Sequence, residues 1–349
     1  MKKRIVFPFI IFIAICCLNT QWVLGEGKQE VQEESKAEAH DGSQKNEGTK
    51  KNEGSQKNEG SQKNEGIQET EATQETEATQ ETEAAQETEA PAFFKAEKAE
   101  VPIIMYHLVT KNSRFIGKHG ISPSELESDL KYLKENGYQT VLMADLIAFV
   151  EKGKNLPEKP IVLTFDDGNS SDYRYLYPLL QEYEMKAVVS VLGKAIDECT
   201  VLAAKHENPP IFPNLTWGQV KEMHESEFFE IQNHSYDLHG GGLGSDQRQG
   251  EPVEAYQQRL REDLSKMQER TKEMTGAEPT AFTFPLGRVS DNSRPVLEEL
   301  GLVASLSCHD GINILIEDDP NCLYRLKRDN RPSGVHISTI LQRMYEKRK

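Results

Sequence analysis

Leu163-Thr164-Phe165-Asp166-Asp167-Gly168 begins as an apolar, strand-like run and stops abruptly in two carboxylates and a glycine. Two later segments have the same form: Asn233-His234-Ser235-Tyr236-Asp237-Leu238-His239, after the apolar run that starts at Phe229, and Phe282-Thr283-Phe284-Pro285-Leu286-Gly287. Working outward, strand-like runs fall at Val101–Tyr106, Ile161–Phe165, Ala187–Val191, Phe229–Gln232, Ala281–Phe284, Val303–Leu306 and Leu323–Leu326. Helical patterns separate most of them. Ser122 and Glu125 form a capping-box signature ahead of Leu126, Leu130 and Leu133 on one face. Ser171–Tyr183, Trp217–Glu225, Tyr256–Thr275, Asn292–Leu300 and Ile337–Arg348 also read as helices. Strands alternating with helices imply a parallel sheet. The expected fold is α/β, a distorted seven-stranded (β/α) barrel over residues 99–349, with the polar motifs at the strand C-terminal ends where barrel sites form.

One Asp and two His suffice to hold a divalent cation with an open position for water, and a second Asp beside them can act as general base. Each pair alone is a weak signal. Adjacent aspartates before glycine are common turn residues. His234 and His239 are five apart, so they would diverge on a helix. They reach one point only if His234 ends a strand and a loop returns His239, which Gly240-Gly241-Gly242 makes feasible.

The ends of the chain carry different information. Lys2, Lys3 and Arg4 precede an apolar run from Ile5 to Leu18, and Val23-Leu24-Gly25 fits a small-residue cleavage site. Residues 1–25 are therefore expected to be a secretory signal peptide, with an uncleaved membrane anchor as the alternative. Ile15 is too large a neighbour for lipid processing at Cys16. Residues 26–98 lack any core-forming pattern, and 43–90 are eight tandem hexapeptides resembling Ser-Gln-Lys-Asn-Glu-Gly or Thr-Gln-Glu-Thr-Glu-Ala. So polar a repeat buries too little to offset its ordering entropy, and it is expected to be a disordered low-complexity linker. Its end-to-end reach is on the order of 50 Å.

The linker holds 19 acidic and 9 basic residues, and the 99–349 region is left with a net charge near −9. That argues against nucleic acid as a partner. Cys199, Cys308 and Cys322 remain beyond the signal, an odd number, with Cys308–Cys322 a candidate bridge.

Thr164-Phe165-Asp166-Asp167-Gly168, His234-Ser235 with His239, and Phe284-Pro285-Leu286-Gly287 together resemble the polysaccharide deacetylase family, the NodB-homology group or carbohydrate esterase family 4. The resemblance covers about residues 100–335. It implies that Asp167, His234 and His239 hold a metal, usually Zn2+ with Co2+ or Ni2+ as substitutes, that Asp166 is the base, and that the Leu286 N–H, beside Pro285, faces the oxyanion. The family's commonest histidine spacing is four; five resembles the branch acting on poly-N-acetylglucosamine. That branch carries its acid histidine at the start of the domain, which implies His107, with His336 and His309 as poorer choices. The family's base-orienting Arg is replaced by Thr280, leaving Arg325 and Arg328 as candidates.

The expected function is metal-dependent removal of N-acetyl groups from a β-linked N-acetylglucosamine polymer or peptidoglycan glycan, by a monomer secreted or held at the cell surface or wall. O-acetyl ester hydrolysis on a xylan-like polysaccharide and a non-catalytic wall-binding module are the alternatives. Tyr236, Trp217 and Phe284 are candidate sugar contacts, although Trp217 also reads as a packed helix start.

Overall fold

The computed structural model describes residues 98–206, 211–242 and 244–348. The expected signal peptide and all of the expected linker but Lys98, which opens the first strand, lie outside them. The strands are β1 (Lys98–Val101), β2 (Ile103–Tyr106), β3 (Leu108–Val109), β4 (Gly120–Ile121), β5 (Gln139–Thr140), β6 (Pro160–Asp167), β7 (Ala187–Val191), β8 (Phe229–Asn233), β9 (Ala281–Thr283), β10 (Ala304–Leu306), β11 (Asn313–Ile316) and β12 (Asp329–Asn330). The main sheet runs β10-β9-β8-β7-β6-β2-β12 with every pairing parallel, and β5 pairs with the start of β6. Parallel strands need crossovers, and the intervening helices supply them.

The expected strand Leu323–Leu326 is a correction. Pro320–Leu323 forms a 3-10 turn instead, because Pro320 has no N–H and the Asp319 side chain caps the turn through Asn321 N. Ladder pairing resumes only at Leu326, whose N–H donates to Ser305 O at 2.8 Å and whose carbonyl accepts from Ser307 N at 2.9 Å. Three residues on, β12 pairs with Ile104 and Met105 of β2. The stretch 326–330 therefore bonds to both outer strands of the curled sheet.

β6 explains how the site is carried. It is apolar on both faces, as a doubly covered parallel strand must be. Ile161, Leu163 and Phe165 pack outward against Leu126, Leu130, Leu176 and Leu180 of the helical layer. Val162 faces the opposite way, with Ile103, Val188, Ala281, Ala304 and Leu306, and the Met143–Lys152 helix packs on this inner set through Leu146, Phe149 and Val150. Strand alternation puts Thr164 and Asp166 on the Val162 side. The Pro123–Glu135 helix begins at the expected capping box, with Ser122 and Glu125 satisfying one another's backbone amides. Among the described residues, no helix is long and apolar enough to cross a membrane.

Candidate active site

The β6 chain turns sharply after Phe165. Asp167 (φ 76°) and Gly168 (φ 62°) are both left-handed. Such a conformation is uncommon for a non-glycine residue and persists only where neighbours enforce it. Asn214 Nδ2 supplies part of that restraint by donating to Asp167 O at 3.0 Å. The turn directs the two adjacent carboxylates to different partners.

Asp166 is 2% exposed and meets the fully buried Arg328 in a two-pronged pair, Nη1 to Oδ1 at 2.8 Å and Nη2 to Oδ2 at 2.9 Å. Arg328 Nε donates to Ser307 O at 2.8 Å and Nη1 also reaches Thr164 Oγ1 at 3.2 Å, so the guanidinium is fixed on several sides. Burial pushes the Asp166 carboxyl up, but Arg328, with His234 and His107, more than reverses this and holds the group below its ordinary range. Of the two arginines considered from sequence, Arg328 reaches the acid. Arg325 does not: its φ of 59° turns it outward, where it pairs with Asp291. Thr280, at the family's arginine position, accepts instead from Gln232 Nε2 at 3.3 Å.

Asp167 Oδ1 lies 3.4 Å from His234 Nε2 and 3.3 Å from His239 Nε2. One ligand atom from each of the three residues falls within 4.8 Å of the others. His234 Nδ1 sits 2.8 Å from Thr283 O, a carbonyl that can only accept, so Nδ1 carries the hydrogen. With Nδ1 committed to that carbonyl, Nε2 is the ring atom that faces Asp167 Oδ1 and the one free to donate an electron pair to a cation. Electron-pair donors converging on one point fit a cation, and two imidazoles with one carboxylate suit Zn2+. Burial pushes the Asp167 carboxyl up, but the His234, His107 and His239 imidazoles more than reverse this.

His107 follows β2, and its charge acts on both Asp166 and Asp167. Its Nδ1 is buried without a partner. Its ring meets that of His119 edge-on, with centroids 4.7 Å apart. Sequence reasoning missed His119, since no motif encloses it and it arrives on the loop joining β3 to β4. Burial, then His107, hold His119 down at about 4. His336 caps the Ile337–Glu346 helix, and His309 Nδ1 lies 3.2 Å from Ser307 Oγ.

Leu286 is left-handed (φ 59°) and 45% exposed on the turn after β9, beside buried Pro285. Gly287 is required there, because a Cβ would lie 2.7 Å from Cys308 Cβ. Two of the three sugar-contact expectations are corrected. Phe284 and Trp217 are each 1% exposed and belong to the core. Tyr236 is held by its OH on Asp197 at 3.0 Å and by Lys266 Nζ 3.7 Å above its ring. The Cys308–Cys322 bridge is absent: all three described cysteines are free, Cys308 lying against Arg328 and Cys322 against the backbone of Ile316.

Comparison with known proteins agrees with this geometry. The polysaccharide deacetylase family profile matches residues 153–305. Poly-beta-1,6-N-acetyl-D-glucosamine N-deacetylase of Escherichia coli (strain K12) is 30% identical over 210 residues, 55% of this chain and 31% of that protein. YxkH of Bacillus subtilis (strain 168), named as a candidate polysaccharide deacetylase, is 29% identical over 222 residues, 63% of this chain and 69% of its own length. The chain thus spans about a third of the first relative and about two thirds of the second. The solved de-N-acetylase of Aggregatibacter actinomycetemcomitans superposes with a TM-score of 0.59 at 25% identity, covering 70% of this chain and 99% of that one. The strand-end motifs, the paired acids and these matches agree, and over residues 153–305 the chain is similar to the polysaccharide deacetylase family.

Proposed function

We propose that this protein removes N-acetyl groups from N-acetylglucosamine units of an extracellular polysaccharide, releasing acetate. The observation that carries the reading is the convergence of Asp167, His234 and His239 beside an Asp166 held ionised by Arg328. Asp167, His234 and His239 would hold a divalent cation, Zn2+ first, which when bound polarises the acetyl carbonyl and acidifies an adjacent water.

Asp166 takes the proton from the attacking water, and Arg328 keeps that carboxylate charged and aligned. The Leu286 N–H donates to the developing oxyanion. His107, protonated, delivers a proton to the departing nitrogen. Amide cleavage requires such a donor because an amine anion is a very poor leaving group. The named activity of the Escherichia coli relative supports a β-1,6-linked glucosamine polymer. The basic, then apolar, N-terminus supports action outside the cytoplasm.

The test is acetate release by the full chain, stripped of metal and reconstituted with Zn2+, on β-1,6-linked and β-1,4-linked N-acetylglucosamine oligomers and on acetylated xylan. Release from the N-acetylated glycans is expected. Release from xylan alone would convert the assignment to an ester hydrolase, and glycan binding without acetate would reduce it to a binding module.

A further inference from the structure

The segment between the two histidines has four consecutive backbone N–H groups that no strand or helix satisfies. Each has a named side-chain acceptor. Ser235 N donates to Asn233 Oδ1 at 2.7 Å and Leu238 N to Ser235 Oγ at 3.1 Å, both local contacts. The two central amides go to one distant carboxylate: Tyr236 N donates to Asp263 Oδ1 at 2.7 Å and Asp237 N to Asp263 Oδ2 at 2.8 Å. Asp263 sits within the 23-residue Val253–Thr275 helix, a rigid element that packs through Leu260, Leu264 and Met267. Its charge is matched to the task, since two parallel N–H donors need two acceptor oxygens and only a carboxylate offers both.

The same loop is closed from the other side. Gly193 N donates to Ser235 O at 3.2 Å and Lys194 N to Tyr236 O at 3.0 Å. A side chain at Gly193 would meet the Tyr236 ring at 2.6 Å, so this approach requires glycine. His234 and His239 are thus five residues apart on a loop whose middle is pinned to a helix.

We propose that Asp263 is a positioning residue for the metal centre. By bracketing Tyr236 and Asp237 it fixes the curvature that returns His239 to Asp167, without touching cation or substrate. This inference rests on the metal reading above. Its test uses Zn2+ itself, titrated into metal-free full-length protein against a chromogenic chelator, with Co2+ absorption as the geometric readout. Asp263→Asn retains one acceptor oxygen and places an NH2 against the other amide. It is expected to bind Zn2+ about 10- to 100-fold more weakly, the usual effect of losing support around metal ligands. Its Co2+ spectrum should change while the metal-free protein melts close to wild type.

Folded Asp263→Asn with wild-type Zn2+ affinity and an unchanged Co2+ spectrum would overturn the proposal and leave the metal reading intact. Wild-type protein that takes up no Zn2+ would overturn both. If Asp263→Asn does not fold, Asp263→Glu decides by the same titration. It keeps the charge but its extra methylene cannot hold both amides, so weakened Zn2+ binding is expected and unaltered binding refutes.

Discussion

Replacing Arg328 by Met tests the electrostatic core of the site. Arg328 is wholly buried, and its two-pronged pair with Asp166 at 2.8 and 2.9 Å is a buried ion pair. Removing one partner of such a pair leaves an uncompensated charge and typically costs about 3–5 kcal/mol. Arg328→Met should therefore destabilise metal-free protein by that order near neutral pH, measured by urea denaturation. The sign with pH follows from the carboxylate. In wild type Asp166 is lowered from 3.8, so its stabilisation is present above about that value and lost as pH falls through the lower folded value. Without Arg328 the carboxyl rises from its wild-type position, so the variant lacks the stabilisation that wild type gains as pH climbs past about 3.8. The gap between the proteins should be narrow at acid pH and widest near pH 7 and above. The acid limb of acetate release should move upward by about 1–3 pH units, the usual influence of an adjacent opposite charge. Arg328→Lys should fall between the two, because one ammonium cannot form two parallel bonds. A gap independent of pH, together with an unmoved pH–rate profile, would refute the reasoning.

The other variants probe one role each. Asp166→Asn should abolish acetate release yet retain Zn2+ by elemental analysis; near wild-type turnover would remove Asp166 as the base. His239→Ala should lose the metal, and full occupancy would move that ligand role elsewhere. His107→Ala should slow release by about a hundred- to ten-thousand-fold, and an unchanged rate would exclude it as the acid. Asp172 is fully buried with its Oδ2 unpartnered, and burial, then Asp167, drive its carboxyl well above 3.8. Raised in the fold, it makes wild-type stability decline as pH rises above about 3.8. Asp172→Asn should flatten that slope and be the more stable protein at pH 8 in urea melts; equal slopes would contradict the burial argument.

What was legible in sequence were local things. Apolar runs ending in Asp166-Asp167, His234 and Pro285-Leu286-Gly287 are strand-end patterns, and the strands lie where the runs do because burial on both faces leaves an unbroken apolar signature. The Ser122–Glu125 box likewise fixed a helix start within four residues. Two helices, Met143–Lys152 and Gly193–Ala203, escaped this reading because neither starts with a side-chain cap of the usual type.

Tertiary structure decided the contacts between distant segments. Arg325 and Arg328 are equivalent in composition and three residues apart, yet only the second faces Asp166. The left-handed turn at Arg325 and the pairing of Leu326 with Ser305 set which way each points. His119 meets His107, and Asp263 reaches Tyr236 and Asp237, across separations that no spacing rule encodes. The chain by itself determined which side chains sit at strand ends, since alternation and turn chemistry act over a few residues. Only packing decided which of them share one space, because that depends on how sheet curl and helix placement fold remote backbone together.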